Sequence, residues 1–296
     1  MAGPLSFPAP AKINLYLHVT GRTEGGYHLL DSLVAFAGIH DTLTASAADK
    51  LSLAMDGPFA GDLTGGGDNL VLKAAHALAG AAGVTAGAEL RLTKRLPVSS
   101  GIGGGSADAA ATLIALARLW DVHLPDAQMA ELALGLGADV PVCLGGRAAF
   151  MGGIGEDLTP APALPSATLV LVNPGVALAT NAVFGARTGD FGKPAGFDSA
   201  PRDAAELAAI LAERDNQLTA AAVSLVPVIG DVLAALSATD GALLSRMSGS
   251  GATCFGLFAE PGQAAAAALA LSAAHGDWWV KAGALEGHPA RLRSPT

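Results

Sequence analysis

Residues 97–120 read PVSSGIGGGSADAAATLIALARLW. Glycine occupies four of the five positions from 101 to 105, and good helix formers follow from about Ala107. A flexible loop that opens into a helix exposes successive backbone N–H groups beside the positive end of the helix dipole, an arrangement that binds phosphate. An ordinary strand-to-helix turn needs one glycine rather than four, so the pattern favours an anion-binding loop over a purely structural turn.

Other glycine-rich motifs do not fit this loop. A Walker A loop ends in Gly-Lys followed by Ser or Thr, whereas residues 105–107 are Gly-Ser-Ala. A dinucleotide-binding fingerprint that began at Gly101 would need Gly or Ala where Ser106 stands. A nucleophile elbow through Ser106 fails because Asp108 replaces its final glycine, and one through Ser250 fails because position 248 is also serine. The sequence therefore predicts an unusual phosphate-binding loop.

The overall composition describes a folded, acidic protein. The chain has 296 residues, of which 51% are apolar and 5% aromatic, and its formal net charge is −9. So many apolar residues exclude a disordered chain, and the acidic balance with few aromatics argues against a nucleic-acid partner. The net charge does not exclude a phosphate ligand, because a formal charge count omits backbone N–H dipoles.

The sequence has no features that direct it to a membrane or to secretion. The first ten residues lack a basic flank and an unbroken apolar segment, and the longest apolar stretch, residues 264–274, is far shorter than the roughly 20 residues of a bilayer span. We therefore expect a cytoplasmic protein without a membrane partner. Cys143 and Cys254 lack Cys-x-x-Cys or His partners, so we expect buried thiols rather than a disulfide or a metal site.

Alternating side chains predict strands around the loop. Residues 12–19 alternate Lys, Asn, Tyr and His with Ile, Leu, Leu and Val, which predicts a strand with one buried face. Further strands are predicted over residues 27–36, 42–46, 51–55 and 88–94, the last of which leads into the loop.

Helices are predicted on both sides of the loop. Asp68 can cap a helix over residues 69–82, which Gly83 ends. A second helix is predicted over residues 126–134, with Gly137 as its C-cap.

The second half of the chain has a different order of elements. The Pro- and Ala-rich segment 160–166 is a natural boundary, which predicts domains over residues 1–160 and 161–296. Asp203 and Glu206 resemble a capping box at the start of a helix. Strands are predicted over residues 168–173, 242–247, 253–259 and 278–282, in the order β-α-β-β-α-β, which predicts a split βαβ sandwich.

Three segments together resemble the signature motifs of the GHMP kinase superfamily. They are residues 10–17 (PAKINLYL), residues 97–110 and residues 248–255 (SGSGATCF). The resemblance implies an α+β fold with two domains. The first would be an ATP-binding domain like domain 2 of ribosomal protein S5, and the second a ferredoxin-like split βαβ domain.

Shorter segments narrow the resemblance to one branch of the superfamily. They are residues 11–15 (AKINL), 26–28 (GYH), 68–70 (DNL), 136–141 (LGADVP) and 155–156 (GE). In that branch the acceptor is a cytidine-diphosphate-linked methylerythritol, an intermediate of bacterial isoprenoid synthesis. The resemblance implies that ATP and Mg²⁺ are the cofactors and that the 2-hydroxyl of this cytidylyl substrate is phosphorylated.

The resemblance also implies the catalytic pair. Transfer of the γ-phosphoryl group to an alcohol needs a group that accepts the hydroxyl proton and positive charge that stabilises the transferred group. In the family a lysine and an aspartate provide these, and they correspond to Lys12 and Asp139. Asp139 follows a predicted helix and its C-cap, so we expect it on a loop.

By the same resemblance, ATP lies along the second motif, with Ser106 near the phosphates and Mg²⁺, while the third motif helps to close the site. The residues implied to bind the nucleotide are Pro97, Val98, Ser99, Ser100, Gly101, Ile102, Gly103, Gly104, Gly105, Ser106 and Ala107. Ser99 and Ser100 stand where the family commonly has Gly or Ala.

The implied acceptor site combines aromatic and polar side chains. Tyr27 can stack on the pyrimidine and His28 can hydrogen-bond to its edge. Asn14 would lie near the reacting hydroxyl, and Thr180 and Phe184 would contribute from the second domain.

Two other functions stay open at this point. One is another small-molecule kinase of the superfamily, acting on mevalonate or homoserine, and the other is a non-catalytic nucleotide-binding protein. Tyr27 and His28 favour the cytidylyl acceptor over the first, and Lys12 with Asp139 favours a kinase over the second. The sequence leaves both a monomer and a homodimer open.

Overall fold

A computed structural model describes residues 3–63 and 69–287 of the chain. The first half consists of β1 (Leu5–Arg22), β2 (His28–Ala48), β3 (Ser52–Asp56), α1 (Leu70–Ala82), β4 (Gly87–Thr93), α2 (Gly104–Leu119), α3 (Asp126–Leu136), α4 (Val140–Gly145), β5 (Ala149–Gly152) and β6 (Asp157–Pro160). The second half consists of β7 (Thr168–Asn173), α5 (Thr180–Ala186), α6 (Ala204–Ala212), α7 (Thr219–Leu225), α8 (Val228–Ser237), β8 (Ala242–Met247), β9 (Cys254–Phe258), α9 (Pro261–Ala274) and β10 (Trp279–Glu286).

The long strand β2 organises the first half. One edge pairs with β1 along nearly its whole length, and the other edge pairs in succession with β5, β10 and β4. The predicted strands over residues 27–36 and 42–46 are therefore a single strand. Helices α1 and α2 pack on this sheet over a core that includes Phe36, Leu43, Leu78, Leu90 and Leu113.

The second half has the predicted split βαβ arrangement. Its strands lie in the order β10-β7-β9-β8, each antiparallel to its neighbour, so that β7 and β8 are separated by β9. This is the ferredoxin-like order, and it confirms the fold implied by the resemblance. The end of β10 pairs with β2 through Leu285 and Glu286, which joins the two halves in one continuous sheet.

The prediction that β1 has only one buried face is wrong. Ile13, Leu15 and Leu17 are buried, and so are Lys12 and Asn14 on the opposite face. A change of register between Asn14 and Tyr16 marks a bulge, which switches the faces of the strand. Leu17 therefore follows Lys12 and Asn14 along the wall of a cavity.

Two helix starts differ from their predictions. Asp68 lies outside the described residues, and the N-cap of α1 is Asn69, whose side-chain oxygen accepts a hydrogen bond from the backbone N–H of Val71 at 2.9 Å. Helix α2 begins at Gly104, three residues earlier than predicted. The predicted C-caps Gly83 and Gly137 are confirmed.

The predicted cap of α6 and the predicted burial of the two cysteines are confirmed. Asp203 accepts a hydrogen bond from the N–H of Glu206 at 2.8 Å and caps α6, while the Glu206 carboxylate accepts from the N–H of Arg202. Cys143 and Cys254 are free and buried. None of the helices in the described part of the chain combines the length and hydrophobicity of a bilayer span.

Candidate active site

A large cavity lies between the two halves of the chain, with a volume of about 1030 Å³. Most of the residues implied by the resemblance line it. They are Lys12, Asn14, Tyr27, His28, Pro97, Val98, Ser99, Ser100, Gly101, Gly103, Gly104, Gly105, Ser106, Asp139, Thr180 and Phe184. The structure therefore brings the three signature segments, around residues 12–14, 97–106 and 249–250, to one site. Both halves of the chain contribute to it.

The glycine loop ends directly at the N-terminus of α2. Gly103 is the N-cap, with a φ of 61° that favours glycine. The N–H groups of Gly104, Gly105 and Ser106 belong to the first turn, where an α-helix provides no acceptor for them. These donors and the helix dipole make this end of the cavity suited to a polyanion.

Two of the residues implied to bind the nucleotide are not in the cavity wall. The side chains of Ile102 and Ala107 are buried in hydrophobic clusters of the core. The N–H of Ala107 donates to the carbonyl of Gly103 at 2.9 Å, because Ala107 already lies inside the helix. Ile102 and Ala107 therefore contribute to the loop by packing beneath it, and their assignment to the nucleotide stays a prediction.

The loop also explains a departure from the family pattern. Ser99 has a φ of 51°, in the left-handed region that glycine adopts without steric cost. A serine at this position carries strain of about 1 kcal/mol or more. This strain is the physical reason why glycine is favoured at this position.

Lys12 and Asp139 form an ion pair in the cavity wall beside the glycine loop. Lys12 Nζ lies 3.1 Å from Asp139 Oδ2, and the two side chains are 5% and 33% exposed. Asp139 is the residue that precedes α4, so the short turn after α3 directs it at the middle of β1, where Lys12 lies. The structure therefore brings the two residues of the implied catalytic pair into contact.

Asn14 holds the lysine from the other side. Lys12 Nζ donates to Asn14 Oδ1 at 3.0 Å, and Asn14 Nδ2 donates to the hydroxyl of Ser32 at 2.7 Å. The hydroxyl of Ser32 in turn donates to the carbonyl of Tyr16 at 2.6 Å. This chain of hydrogen bonds fixes the amide orientation of Asn14 and with it the position of the ammonium group.

An aromatic corner closes the far end of the cavity. The rings of His28 and Phe184 stack with their centroids 4.9 Å apart and their planes 23° from parallel. Tyr27 stands at the rim, 67% exposed. Burial, with the nearby Arg22 and Arg187, lowers the pKa of His28, so its imidazole is neutral at pH 7 and offers one donor and one acceptor.

Thr180 connects this corner to the third glycine-rich segment. It begins α5, the helix that carries Phe184, and its hydroxyl lies 2.9 Å from the hydroxyl of Ser250. Helix α5 and the turn beside the glycine loop are thus in direct contact.

A buried charge cluster beneath the loop was not predicted. Lys94 Nζ donates to Asp41 Oδ2 at 2.5 Å and to Asp108 Oδ2 at 2.7 Å, and all three side chains are buried. Asp41 Oδ1 also accepts from the N–H groups of Arg95 and Leu96, at the start of the loop. The signal in the sequence is Asp108, a single acid within an apolar helix, which must have a buried partner.

The cluster contains one ammonium group and two carboxyl groups. Burial lowers the pKa of Lys94, whereas the two nearby carboxylates together raise it by more than burial lowers it. The pKa of Lys94 is therefore raised overall, and its ammonium group is charged. Burial raises the pKa of the Asp108 carboxyl although Lys94 opposes this, and Asp108 Oδ1 has no hydrogen-bond partner among residues 3–63 and 69–287. Lys94 and Asp108 both reach the cavity wall.

Family models match both halves of the chain. The model described as GHMP kinases N terminal domain matches residues 69–147, and the model described as GHMP kinases C terminal matches residues 197–277.

Curated relatives match over nearly the whole length. A 4-diphosphocytidyl-2-C-methyl-D-erythritol kinase of Paramagnetospirillum magneticum is 59% identical over 93% of this chain and 96% of its own. A protein of the same name from Parvibaculum lavamentivorans is 50% identical over 97% of this chain and 100% of its own.

Solved structures share the fold. A crystal structure of 4-(cytidine 5'-diphospho)-2C-methyl-D-erythritol kinase superposes with a TM-score of 0.79 and 37% identity, over 95% of this chain and 99% of its own. Homoserine kinase from Cytophaga hutchinsonii superposes with a TM-score of 0.75, but at 19% identity over 97% of this chain and 96% of its own. The second likeness shows the fold alone.

Proposed function

Because this chain belongs to the GHMP kinase family, we propose that it transfers the γ-phosphoryl group of ATP to the 2-hydroxyl of 4-diphosphocytidyl-2-C-methyl-D-erythritol. This reaction belongs to the methylerythritol phosphate route to isoprenoid precursors. The observation that carries the proposal is the ion pair of Lys12 and Asp139, which opens on the same cavity as the phosphate loop and the aromatic corner.

The nucleotide is assigned to the glycine loop. The free N–H groups of Gly104, Gly105 and Ser106 point from the start of α2 and are suited to the phosphates. The cavity extends from there past Leu70, Leu92 and Pro97, which offer apolar contacts to a purine ring.

The side chains at the loop also fit a magnesium ion. Ser106 lies in the cavity wall, and Asp108 Oδ1 is a buried carboxylate oxygen for which the described part of the chain offers no hydrogen-bond partner. Mg²⁺ prefers oxygen ligands and is commonly held by one or two protein groups together with substrate phosphates. We assign Ser106 and Asp108 to hold it, and when bound it neutralises charge on the phosphate oxygens.

The chemistry is assigned to the ion pair. Asp139 accepts the proton of the attacking hydroxyl, and the Lys12 ammonium stabilises the negative charge on the transferred group. Lys12 also orients Asp139 through their contact of 3.1 Å, and Asn14 holds Lys12 at 3.0 Å. Because Lys12 is almost fully buried, these charges act in surroundings that contain little water.

The acceptor is assigned to the remaining walls. Tyr27 provides an exposed aromatic face for a pyrimidine, while neutral His28 can pair with the pyrimidine edge. His28 and Phe184 must separate or shift if a base enters between them, because their rings are in contact. Asn14 and Thr180 also line the cavity, and we assign them to contact the part of the acceptor between its base and Asp139.

A panel of acceptors tests the function. Purified protein with ATP and Mg²⁺ is offered 4-diphosphocytidyl-2-C-methyl-D-erythritol, mevalonate and homoserine, and ADP release is followed. We expect turnover with the cytidylyl compound alone. Turnover of mevalonate or homoserine instead would contradict the proposal, and no turnover of any acceptor would favour a non-catalytic nucleotide-binding protein.

Replacement of Tyr27 by alanine tests the assigned base site. We expect the KM for the cytidylyl acceptor to rise about tenfold, since stacking of one base on an aromatic ring contributes on the order of 1–3 kcal/mol. The KM for ATP and the melting temperature should be unchanged, because Tyr27 is exposed at the rim. The control is Phe191→Ala, which removes an exposed aromatic side chain on the loop after α5. Equal acceptor KM values in wild type and Tyr27→Ala would refute the assignment.

The domain boundary between residues 160 and 161 and the cytoplasmic location stay predictions. The boundary is supported by the end of β6 at Pro160 and the start of β7 at Thr168.

A further inference from the structure

The hydroxyl of Ser248 joins two segments that carry the proposed chemistry. It accepts a hydrogen bond from the backbone N–H of Asn14 and donates one to the carbonyl of Gly101, both at 3.1 Å. Ser248 is fully buried. This one oxygen atom therefore connects three segments, which are β1, the start of the phosphate loop and the turn of residues 248–252.

The backbones around this oxygen are in close contact. A Cβ atom at Gly101 would lie 2.6 Å from the carbonyl oxygens of both Ser248 and Gly251. The N–H of Lys12 donates to the carbonyl of Ile102 at 2.9 Å, and the N–H of Thr253 donates to the carbonyl of Ser100 at 3.1 Å. With so little free space, a small movement of the turn displaces β1 and the phosphate loop relative to each other.

Ser248 is placed to act on the reacting groups through Asn14. The hydroxyl accepts from the backbone N–H of Asn14, and the side chain of Asn14 contacts Lys12 Nζ. Lys12 Nζ in turn contacts Asp139. The hydroxyl donates to the carbonyl of Gly101, which belongs to the loop before the N–H donors of α2. One hydroxyl thus connects the acceptor-activating pair to the phosphate-binding backbone.

The fold of the turn has other supports. The N–H of Ser248 donates to the carbonyl of Thr253 at 2.9 Å. Asn216 Nδ2 donates to the carbonyls of Met247 and Gly249, each at 2.8 Å. These bonds remain when the hydroxyl is removed, so the turn itself does not depend on it.

We infer that Ser248 is a positioning residue, whose hydroxyl sets the place of the Asn14 side chain, and through that side chain the place of Lys12, relative to the phosphate loop. The inference rests on the proposed kinase function. In-line transfer requires the two reacting groups to be held close and aligned, and a displacement of about 1 Å can cost on the order of 100-fold in rate. The chemical step is therefore the quantity that depends on Ser248, more than the binding of either substrate.

Three single variants test this inference. Ser248→Ala should lower kcat about tenfold, a part of the loss that misplacement can cause, with both KM values within about twofold of wild type. Ser248→Thr keeps the hydroxyl and should recover part of the rate lost in Ser248→Ala, limited by the fit of its additional methyl group in this fully buried site. The control is Ser245→Ala, which removes a hydroxyl of β8 that bonds to Ser237 instead, and its kcat should equal that of wild type. If Ser248→Ala does not fold, Ser248→Cys takes its place, because a thiol fills the site but hydrogen-bonds weakly.

A double variant separates positioning from a general structural role. In an Asn14→Ala background the side chain that Ser248 positions is gone, so adding Ser248→Ala should change kcat by less than about twofold. An undiminished loss in that background would overturn the inference, as would a Ser248→Ala enzyme with wild-type kcat. Absence of turnover by the wild-type protein would instead defeat the proposed function, so the two failures are distinguishable.

Discussion

Replacement of Asp139 by asparagine is expected to lower kcat by at least about 100-fold, the lower end of what a general base contributes. Asparagine keeps the size of the side chain but cannot accept the hydroxyl proton, and it removes the charge that faces Lys12 Nζ at 3.1 Å. ATP binding should be nearly intact, because the phosphates are assigned to the backbone of α2. The measurements are steady-state kinetics with the cytidylyl acceptor and titration calorimetry with ATP.

The control for this variant is Asp126→Asn. Asp126 is an exposed acid in the first turn of α3, the helix that precedes Asp139 in the chain. Its replacement changes the net charge equally but leaves the cavity untouched, so kcat should be that of wild type. An Asp139→Asn enzyme with kcat close to the wild-type value would refute the role of Asp139 as the base.

Replacement of Lys94 by methionine is expected to lower the free energy of unfolding by about 3–5 kcal/mol, the cost of breaking a buried ion pair by removing one partner. Two carboxylates, Asp41 and Asp108, would be left buried without their ammonium group. Asp41 also accepts from backbone N–H groups at the start of the phosphate loop, so the loop should lose order as well. Urea unfolding of the two proteins measures the difference.

The control for the stability loss is Arg91→Met. Arg91 forms an ion pair with Asp56 at 3.0 Å in which the side chains are 56% and 44% exposed. An exposed pair of this kind contributes at most about 1 kcal/mol. Similar losses in Lys94→Met and Arg91→Met would contradict the account of the buried cluster.

The pH dependence of Lys94→Met gives a second check. Burial raises the pKa of Asp108 in the folded protein, and without Lys94 its charged form is still less favourable. A carboxyl with a raised pKa binds its proton more tightly when folded, so the stability it contributes is present at low pH and is lost as pH rises through the folded value. The deficit of Lys94→Met relative to wild type should therefore be smaller at pH 5 than at pH 8.

The sequence predicts the phosphate loop well because its signal is local. Four glycines before a helix already describe the N–H donors seen at Gly104 and Gly105. Helix α2 begins three residues before its predicted start, because the low helix propensity of glycine indicates a later one. Tertiary packing overrides that propensity, since these two glycines lie against Lys94 and Leu70.

Contacts between distant segments could be predicted only through the family resemblance. Nothing in the spacing of Lys12 and Asp139 brings them together, and the structure joins them through the turn between α3 and α4. The bulge after Asn14 leaves no clear pattern in the sequence, so the burial of both faces of β1 was missed. The hydrogen bonds of the Ser248 hydroxyl could not be predicted from the sequence either, because its partners are backbone atoms of other segments.

The most direct test of the central claim is the structure of the product. Incubation with ATP, Mg²⁺ and 4-diphosphocytidyl-2-C-methyl-D-erythritol is followed by phosphorus and carbon NMR of the isolated product. The account predicts one new phosphate monoester, coupled to the carbon that bears the 2-hydroxyl, with the diphosphate bridge intact. ATP hydrolysis without a new ester, or an ester at another hydroxyl, would contradict it.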